Sequence, residues 1–183
     1  MVRISGGDAK GIKLKVPAGA RPASERVRQA VFSSLAAHVP DAHILDLYCG
    51  SGAYGLEALS RGARTGVFVD SDPQAVAACR ANAAATGYAD FTSVRRSTAE
   101  RYVSGRGSRD GPFDLVFVDP PYGAADEAEP LLGAMTPLLA QGARVVLEAR
   151  RSDSAPPAPS GLLVEADRRY GDTRVLVFLL GEP

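Results

Sequence analysis

The sequence is poor in the residue types that build disulfide frameworks, metal centres and membrane spans. It has two cysteines, two histidines and no tryptophan. Cys49 and Cys79 are too few for a disulfide scaffold and lack the companions of a metal-ligand motif. No apolar run approaches the roughly 20 residues that cross a bilayer, and residues 1–5 lack the apolar segment of a secretory signal. We therefore expect a cytoplasmic protein without a resident metal or a membrane partner.

Charge is abundant, but it is distributed unevenly along the chain. The 183 residues contain 21 basic and 21 acidic side chains, and this length fits one domain at about 150 residues per domain. Residues 1–28 nevertheless carry a net charge of +5, and the remaining residues carry −5. A basic head on an acidic body favours contact between the head and a polyanion. Charge alone leaves open the alternative that these side chains only form the solvent-exposed surface of a small hairpin.

From residue 43 onward, short apolar runs alternate with amphipathic stretches. This pattern predicts helices near 53–61, 73–86, 98–103 and 126–139, and seven strands at 44–47, 66–69, 91–94, 115–118, 145–147, 161–169 and 174–180. Strands that alternate with helices require parallel pairing with right-handed crossovers. The last two strands flank a short turn and therefore form a hairpin, which makes one strand antiparallel. The predicted fold class is α/β, with a doubly wound, mostly parallel sheet of seven strands.

The first 22 residues have a different character from the rest of the chain. Residues 2–16 alternate in polarity and are interrupted by glycines, which predicts a small β-hairpin. Residues 17–22 form a proline-containing linker, and Ser24 offers a hydroxyl to cap the first helix. We therefore divide the chain into an N-terminal basic extension, 1–22, and a main domain, 23–183.

The first chemical motif follows the first strand of the predicted sheet. Gly50, Gly52 and Gly55 match the G-x-G-x-x-G pattern of a strand–turn–helix nucleotide site, and Asp70 ends the next strand 20 residues after Gly50. Asp46, four residues before Gly50, distinguishes the possible cofactors. A carboxylate repels a pyrophosphate but stabilises the ammonium and sulfonium groups of S-adenosylmethionine. The alternative is a glycine-rich turn with Asp46 as a hydrogen-bonded strand-end residue.

The second chemical motif follows the strand that ends at residue 118. Its four residues are Asp119, Pro120, Pro121 and Tyr122. Asp119 and the Pro120 carbonyl can accept hydrogen bonds from an exocyclic amine, and Tyr122 can stack on a flipped base. The prolines fix the backbone, so these acceptors stay aimed. This motif predicts methylation of a nucleobase amine, whereas the alternative is a rigid loop with an exposed aromatic ring.

These motifs and the ends of the chain resemble the bacterial RsmD-type 16S rRNA guanine-N2 methyltransferases. The resemblance covers nearly the whole chain and includes the segments 3–7, 11–14, 21–28, 55–63, 119–122 and 170–173. The tetrapeptide at 119–122 is shared with DNA amino-methyltransferases, so the N-terminal segment and the closing Tyr-Gly-Asp-Thr specify the RNA family. The resemblance implies a Rossmann-like class I methyltransferase fold.

It also implies methyl transfer from S-adenosylmethionine, with S-adenosylhomocysteine as product, to a guanine N2 in 16S rRNA of the assembled or nearly assembled small subunit. We expect a monomer and no metal. The predicted catalytic residues are Asp119, Pro120 and Tyr122. The predicted cofactor-binding residues are Asp46, Gly50, Ser51, Gly52, Asp70, Ser71, Thr98, Ala99 and Asp119. The predicted RNA-binding residues are Arg3, Lys10, Lys13, Lys15, Arg21, Arg26 and Arg28.

The chain departs from the family pattern after its third core strand, where Ser97-Thr98 replaces the usual Gly-Asp. The acid expected near the adenine amino group is missing there, so we expect modest cofactor affinity in the free enzyme. Three other functions remain open at this point. They are an NAD-dependent oxidoreductase, a DNA adenine-N6 or cytosine-N4 methyltransferase, and a non-catalytic RNA-binding assembly factor.

Overall fold

The computed structural model describes residues 2–17, 24–121 and 125–181. Its helices are α1 (Glu25–Ser34), α2 (Ala53–Ser60), α3 (Pro73–Ala85), α4 (Ala99–Ser104), α5 (Gly107–Asp110) and α6 (Ala125–Met135). Its strands are β1 (Val2–Arg3), β2 (Lys13–Leu14), β3 (His43–Leu47), β4 (Thr65–Asp70), β5 (Thr92–Arg96), β6 (Phe113–Val118), β7 (Leu139–Arg150), β8 (Leu162–Tyr170) and β9 (Thr173–Leu180).

Seven of the strands form one sheet in the order β5-β4-β3-β6-β7-β9-β8. Strands β3 to β7 are mutually parallel, and β9 runs antiparallel to both β7 and β8. The chain order reverses between β3 and β6, so the carboxyl ends of these two strands border the crevice where doubly wound sheets bind ligands. The predicted fold class and its single antiparallel strand are confirmed.

The sheet separates two apolar layers, because alternate residues of each buried strand point to opposite faces. Ile44 packs with α1, α2 and α3 on one face. Leu45 and Leu47 pack with α4 and α6 on the other. The helices therefore cover both faces and leave the carboxyl edge of the sheet as the place where polar residues converge.

The N-terminal extension packs on α2 rather than forming a core of its own. Ile4 is fully buried in the same apolar layer as α1 and α2. The Ser5 N–H and hydroxyl both donate to the Glu57 carboxylate at 2.7 Å. The turn after β1 bonds to Ser60, since the Asp8 N–H donates to the Ser60 carbonyl at 2.9 Å. These contacts fix the extension against the main domain.

Two helix starts differ in how they are capped. Asp72 lies before Pro73 and caps α3, because its side chain accepts the Gln74 N–H at 2.8 Å. Ser24 lies at the N-cap position of α1 but makes no side-chain capping bond. The prediction of a capping role for the Ser24 hydroxyl is therefore wrong.

Candidate active site

The turn between β3 and α2 has a backbone that only small residues adopt easily. Gly50 and Gly52 have φ of 53° and 78°, in the left-handed region that glycine tolerates best. A Cβ at Gly52 would also lie 2.9 Å from the Cys79 Sγ. Glycine is therefore required at Gly52 both by its backbone conformation and by its close neighbour.

Asp70 is linked directly to this turn. Its Oδ2 accepts the Gly50 N–H at 2.8 Å, and its Oδ1 accepts the Asp72 N–H at 2.9 Å. Two backbone donors thus hold the carboxylate at the end of β4, beside the turn. Each carboxylate oxygen has a second lone pair and can accept a further hydrogen bond from a ligand.

Asp46 lies beneath the turn and is almost completely buried, at 3% exposure. Its Oδ2 accepts the Gly55 N–H of α2 at 2.9 Å. Burial raises the pKa of Asp46 to about 8, the Gly55 N–H opposes that shift, and the nearby Asp70 charge adds to it. The carboxyl group is held under the turn and is not part of the wall of the adjoining open pocket.

That pocket, of about 170 Å³, opens at the carboxyl edge beside β4, β5 and α4. It is lined by Tyr48, Val69, Asp70, Ser71, Ser97, Thr98, Ala99, Glu100 and Pro121. Four predicted cofactor residues, Asp70, Ser71, Thr98 and Ala99, are thus brought together. Pro121 shows that the second chemical motif borders the same pocket.

Five residues of this lining were not predicted to bind the cofactor, and two of them, Tyr48 and Glu100, are joined by a hydrogen bond. The Tyr48 hydroxyl donates to Glu100 Oε1 at 2.8 Å, and Tyr48 has a φ of 57°, which is uncommon for a non-glycine residue. Partial burial raises the pKa of Glu100. Hydrogen bonds from its own N–H, Tyr48 and Thr98 outweigh that effect and leave the pKa below its ordinary value.

Thr98 has a structural task as well as a place in the pocket. It is the N-cap of α4, where its hydroxyl oxygen accepts the Arg101 N–H at 3.3 Å. Glu100, two residues later, provides the carboxylate that the sequence lacks at position 98. The pocket therefore contains an acid near the position where the family pattern expects one.

The second motif extends from the end of β6. The last residue of that strand, Val118, pairs with Leu47 on one side and Leu147 on the other. Asp119 and Pro120, which follow, are half-buried. Tyr122 lies outside the described residues, so its predicted stacking role stays a prediction.

A buried polar pair lies on the β7 side of this motif, where the sequence indicated nothing. The Tyr54 hydroxyl of α2 donates to Glu148 Oε1 of β7. Burial raises the pKa of Tyr54 well above its ordinary value, and the charges of Glu148 and Asp119 raise it further. The pair thus lies close enough to Asp119 to feel its charge.

The predicted RNA-binding residues fall into three groups. Arg3, Lys10, Lys13, Lys15 and Arg26 are exposed, and Arg21 lies outside the described residues. Arg28 is fully buried and forms an ion pair with Glu57 at 3.3 Å, while its Nη2 donates to the Arg3 carbonyl at 2.5 Å. The prediction for Arg28 is corrected, because this side chain anchors the extension and does not reach solvent.

The described residues contain neither a candidate membrane span nor a candidate metal cluster. None of their helices is long and apolar enough to span a membrane. Within 2–17, 24–121 and 125–181, no group of three or more histidine, cysteine, aspartate or glutamate side chains could hold a metal ion.

Comparison with known proteins connects this site to one family. The chain matches the family described as conserved hypothetical protein 95 over residues 2–179. Ribosomal RNA small subunit methyltransferase D of Escherichia coli strain K12 is 36% identical over 174 residues, which are 93% of this chain and 85% of that protein.

Two solved structures have the same fold. Hypothetical protein TTHA0928 of Thermus thermophilus matches with a TM-score of 0.84 and 33% identity, covering 97% of this chain and 98% of that chain. SMU.776, crystallised with SAH, matches with a TM-score of 0.72 and 11% identity, covering 83% of this chain and 49% of that chain, and supports the fold alone. The chain therefore belongs to the conserved hypothetical protein 95 family, which is the RsmD family of methyltransferases.

Proposed function

We propose that this protein transfers a methyl group from S-adenosylmethionine to the exocyclic N2 of a guanine in 16S rRNA, within the assembled or nearly assembled small ribosomal subunit. The observation that carries the proposal is the position of residues 119–121. They border the pocket of about 170 Å³ through Pro121, and the Asp119 charge reaches the Tyr54–Glu148 pair on the β7 side. The name of the Escherichia coli relative supports small-subunit rRNA as the substrate class.

The chemistry of the pocket fits S-adenosylmethionine, which supplies an electrophilic methyl group when bound. Asp70 is placed to accept ribose hydroxyls beside the Gly50 turn. Glu100 takes the place of the missing acid and accepts the adenine amino group. Asp46 supplies negative charge beneath the turn, because a carboxyl group with a raised pKa loses its proton when a cation binds beside it. At the small residues Ser51, Gly52 and Ala99, the backbone can come close to the cofactor.

On the other side of the motif, the acceptors hold the amine of the target base. The Asp119 carboxylate and the Pro120 carbonyl accept its two hydrogens and orient the nitrogen lone pair in line with the methyl group. Such an amine is a weak nucleophile, so positioning and electrostatic stabilisation supply most of the rate. Tyr122 stacks on the base in this proposal.

The basic extension, 1–22, holds RNA phosphates in this proposal, and the main domain, 23–183, carries both chemical motifs. Lys13 and Lys15 extend from the hairpin toward solvent, where they can release counterions from RNA on binding. The proposal requires only one copy of the chain, since all its residues lie in a single protomer.

A methyl-transfer assay with labelled S-adenosylmethionine tests this function. Unmethylated small subunits, naked 16S rRNA and duplex DNA are offered in parallel, and the digested product is identified. We expect N2-methylguanosine, made chiefly on subunits. Methylated adenine or cytosine in DNA would show that the substrate is DNA and not rRNA. If the cofactor binds but no substrate is methylated, the protein is better explained as an assembly factor.

The variant Asp119→Asn tests the catalytic assignment in the same assay. Loss of the charged acceptor should reduce transfer by roughly 100-fold or more, while RNA affinity stays the same. Asp114→Asn is the matched control, because Asp114 is the second residue of the same strand and its Oδ2 accepts the His43 N–H at 2.7 Å, away from the carboxyl edge. Equal turnover in the two variants would refute the role of Asp119.

A further inference from the structure

Glu148 is a buried carboxylate among apolar neighbours near the carboxyl end of β7. It is 8% exposed, and Leu147 before it and Val175 opposite it on β9 are both buried. Removing a carboxylate from water costs several kcal/mol unless hydrogen bonds compensate. Its burial therefore points to a task beyond packing.

The position of Glu148 relates it to the second motif. Leu147 pairs with Val118, so Glu148 is one residue beyond this pair on β7, as Asp119 is on β6. Neighbouring strands lie about 4.8 Å apart, and paired positions point to the same face. Asp119 directly follows β6 and Glu148 lies on the adjacent strand β7, so the two residues are neighbours at the carboxyl edge, with Glu148 on the side away from the cofactor pocket.

Tyr54 holds Glu148 in this position. Its ring stacks on Phe117 with centroids 5.0 Å apart and an interplanar angle of 24°, and it also contacts Phe32 at 6.1 Å. The ring is 4% exposed, so its hydroxyl has little freedom and is aimed at the Glu148 carboxylate. A rigid phenol donor thus orients a carboxylate beside the reacting site.

The chemistry of the nucleobases decides what such a carboxylate can select. Guanine presents the N1–H donor next to its N2 amine, whereas the ring nitrogens next to the amines of adenine and cytosine are acceptors. An acceptor beside Asp119 therefore stabilises guanine and repels the lone pair of the other two bases.

We propose that Glu148 accepts the N1–H of the target guanine and, oriented by Tyr54, selects guanine among the bases that carry an exocyclic amine. This inference rests on the proposed function and adds the specificity-determining residue to it. Glu148 and Tyr54 differ in role, because Glu148 contacts the base and Tyr54 is a positioning residue.

The test uses 2-aminopurine, which keeps the N2 amine but has an acceptor at N1. Small subunits are reconstituted with guanine or 2-aminopurine at the methylated position, and kcat/KM is measured for both. The wild-type protein should prefer guanine by about 10- to 100-fold. Glu148→Gln, whose amide can donate to N1, should reduce the preference to within about 3-fold.

Two further variants make the result specific. Tyr54→Phe keeps the ring packing and removes the donor, so it should lower kcat/KM for guanine and relax the preference in part. Glu165→Gln is the matched control, because Glu165 lies on the same sheet at 2.8 Å from Arg144 and away from the site. It should leave both values unchanged.

The outcomes separate the two proposals. An unchanged guanine preference in Glu148→Gln, or an equal loss on both substrates, would overturn the role of Glu148. Tyr54→Phe decides the matter if Glu148→Gln does not fold, since a wild-type preference in Tyr54→Phe would contradict the positioning role. Absence of N2-methylguanosine from the wild-type reaction would instead reject the proposed function.

Discussion

Folding strongly alters the ionisation of Asp46. Burial raises its pKa from 3.8 to about 8, so the folded protein binds a proton there that the unfolded chain releases. The contribution of Asp46 to the free energy of unfolding is largest below pH 4 and declines as the pH rises toward 8. The decline is at most about 1.4 kcal/mol per pH unit.

We expect Asp46→Asn to remove this part of the pH dependence, because an amide does not titrate and its oxygen can still accept the Gly55 N–H. Urea unfolding of both proteins between pH 5 and pH 8 measures the effect. The difference in unfolding free energy between them should change with pH in favour of the variant as the pH rises. Parallel pH profiles would show that Asp46 ionises normally in the folded protein.

The residues of the site differ in how far the sequence alone could reveal them. Asp46, Gly50 and Asp70 were predictable, since their spacing along a strand–turn–helix unit is local. Tyr54 and Glu148 are 94 positions apart, and Tyr48 and Glu100 are 52 apart. No periodicity connects such pairs, because only the sheet order brings their elements together.

At the scale of elements, the buried Arg28–Glu57 pair joins α1, α2 and the extension. Both side chains are fully buried, and Glu57 also accepts hydrogen bonds from Ser5 and Arg61. We expect Glu57→Gln to lower the free energy of unfolding by about 3–5 kcal/mol, since it leaves the Arg28 charge buried without a counter-charge.

Denaturant unfolding of Glu57→Gln beside Glu165→Gln measures this contribution. The control removes the same charge from the more exposed pair with Arg144, where a loss of at most about 1 kcal/mol is expected. Equal losses in the two variants would mean that Arg28 finds another partner when Glu57 is neutral.

Element type and order were predictable, but the surroundings of each element were not. The sequence pattern identified all seven strands of the large sheet. The central strands read as continuous apolar segments because they are covered on both faces, whereas the exposed edge strand β8 was predicted from the turn that joins it to β9. Arg28 was assigned to the RNA-binding surface because it belongs to the basic segment of the first 28 residues. Only the packing of the extension on α2 places its guanidinium inside.

At the scale of the whole molecule, residues 2–17 of the basic extension run along α2, from its carboxyl end near Ser60 to the glycine turn before it. Lys10 lies in the turn that bonds to Ser60 at the end of α2, which is the edge opposite the site. The Lys15 N–H donates to Asn82 Oδ1 at 2.8 Å, and Asn82 donates to the Ser51 carbonyl, so Lys15 lies beside the glycine turn.

We expect Lys15→Glu to weaken RNA binding more than Lys10→Glu, although both change the net charge equally. Loss of one phosphate contact should reduce the magnitude of the slope of log affinity against log salt by about 0.7–0.9. Binding to 16S rRNA between 50 and 200 mM salt measures the slope. Equal slopes in both variants would contradict a closer RNA contact at Lys15 than at Lys10. Loss of cofactor binding in Lys15→Glu would contradict a role of Lys15 in RNA binding alone.

The sequence by itself determined the fold class, the glycine turn with Asp46 and Asp70, and the motif at 119–122, because these features depend on local spacing and apolar periodicity. The resemblance of whole segments indicated the family. Tertiary structure alone decided that Glu100 lines the same pocket as Asp70 and that Arg28 is internal. It also joined Tyr54 to Glu148 on β7, the strand next to β6. The physical reason is that polar side chains meet at a site only when their strands are neighbours in the sheet, and such strands are distant in the chain.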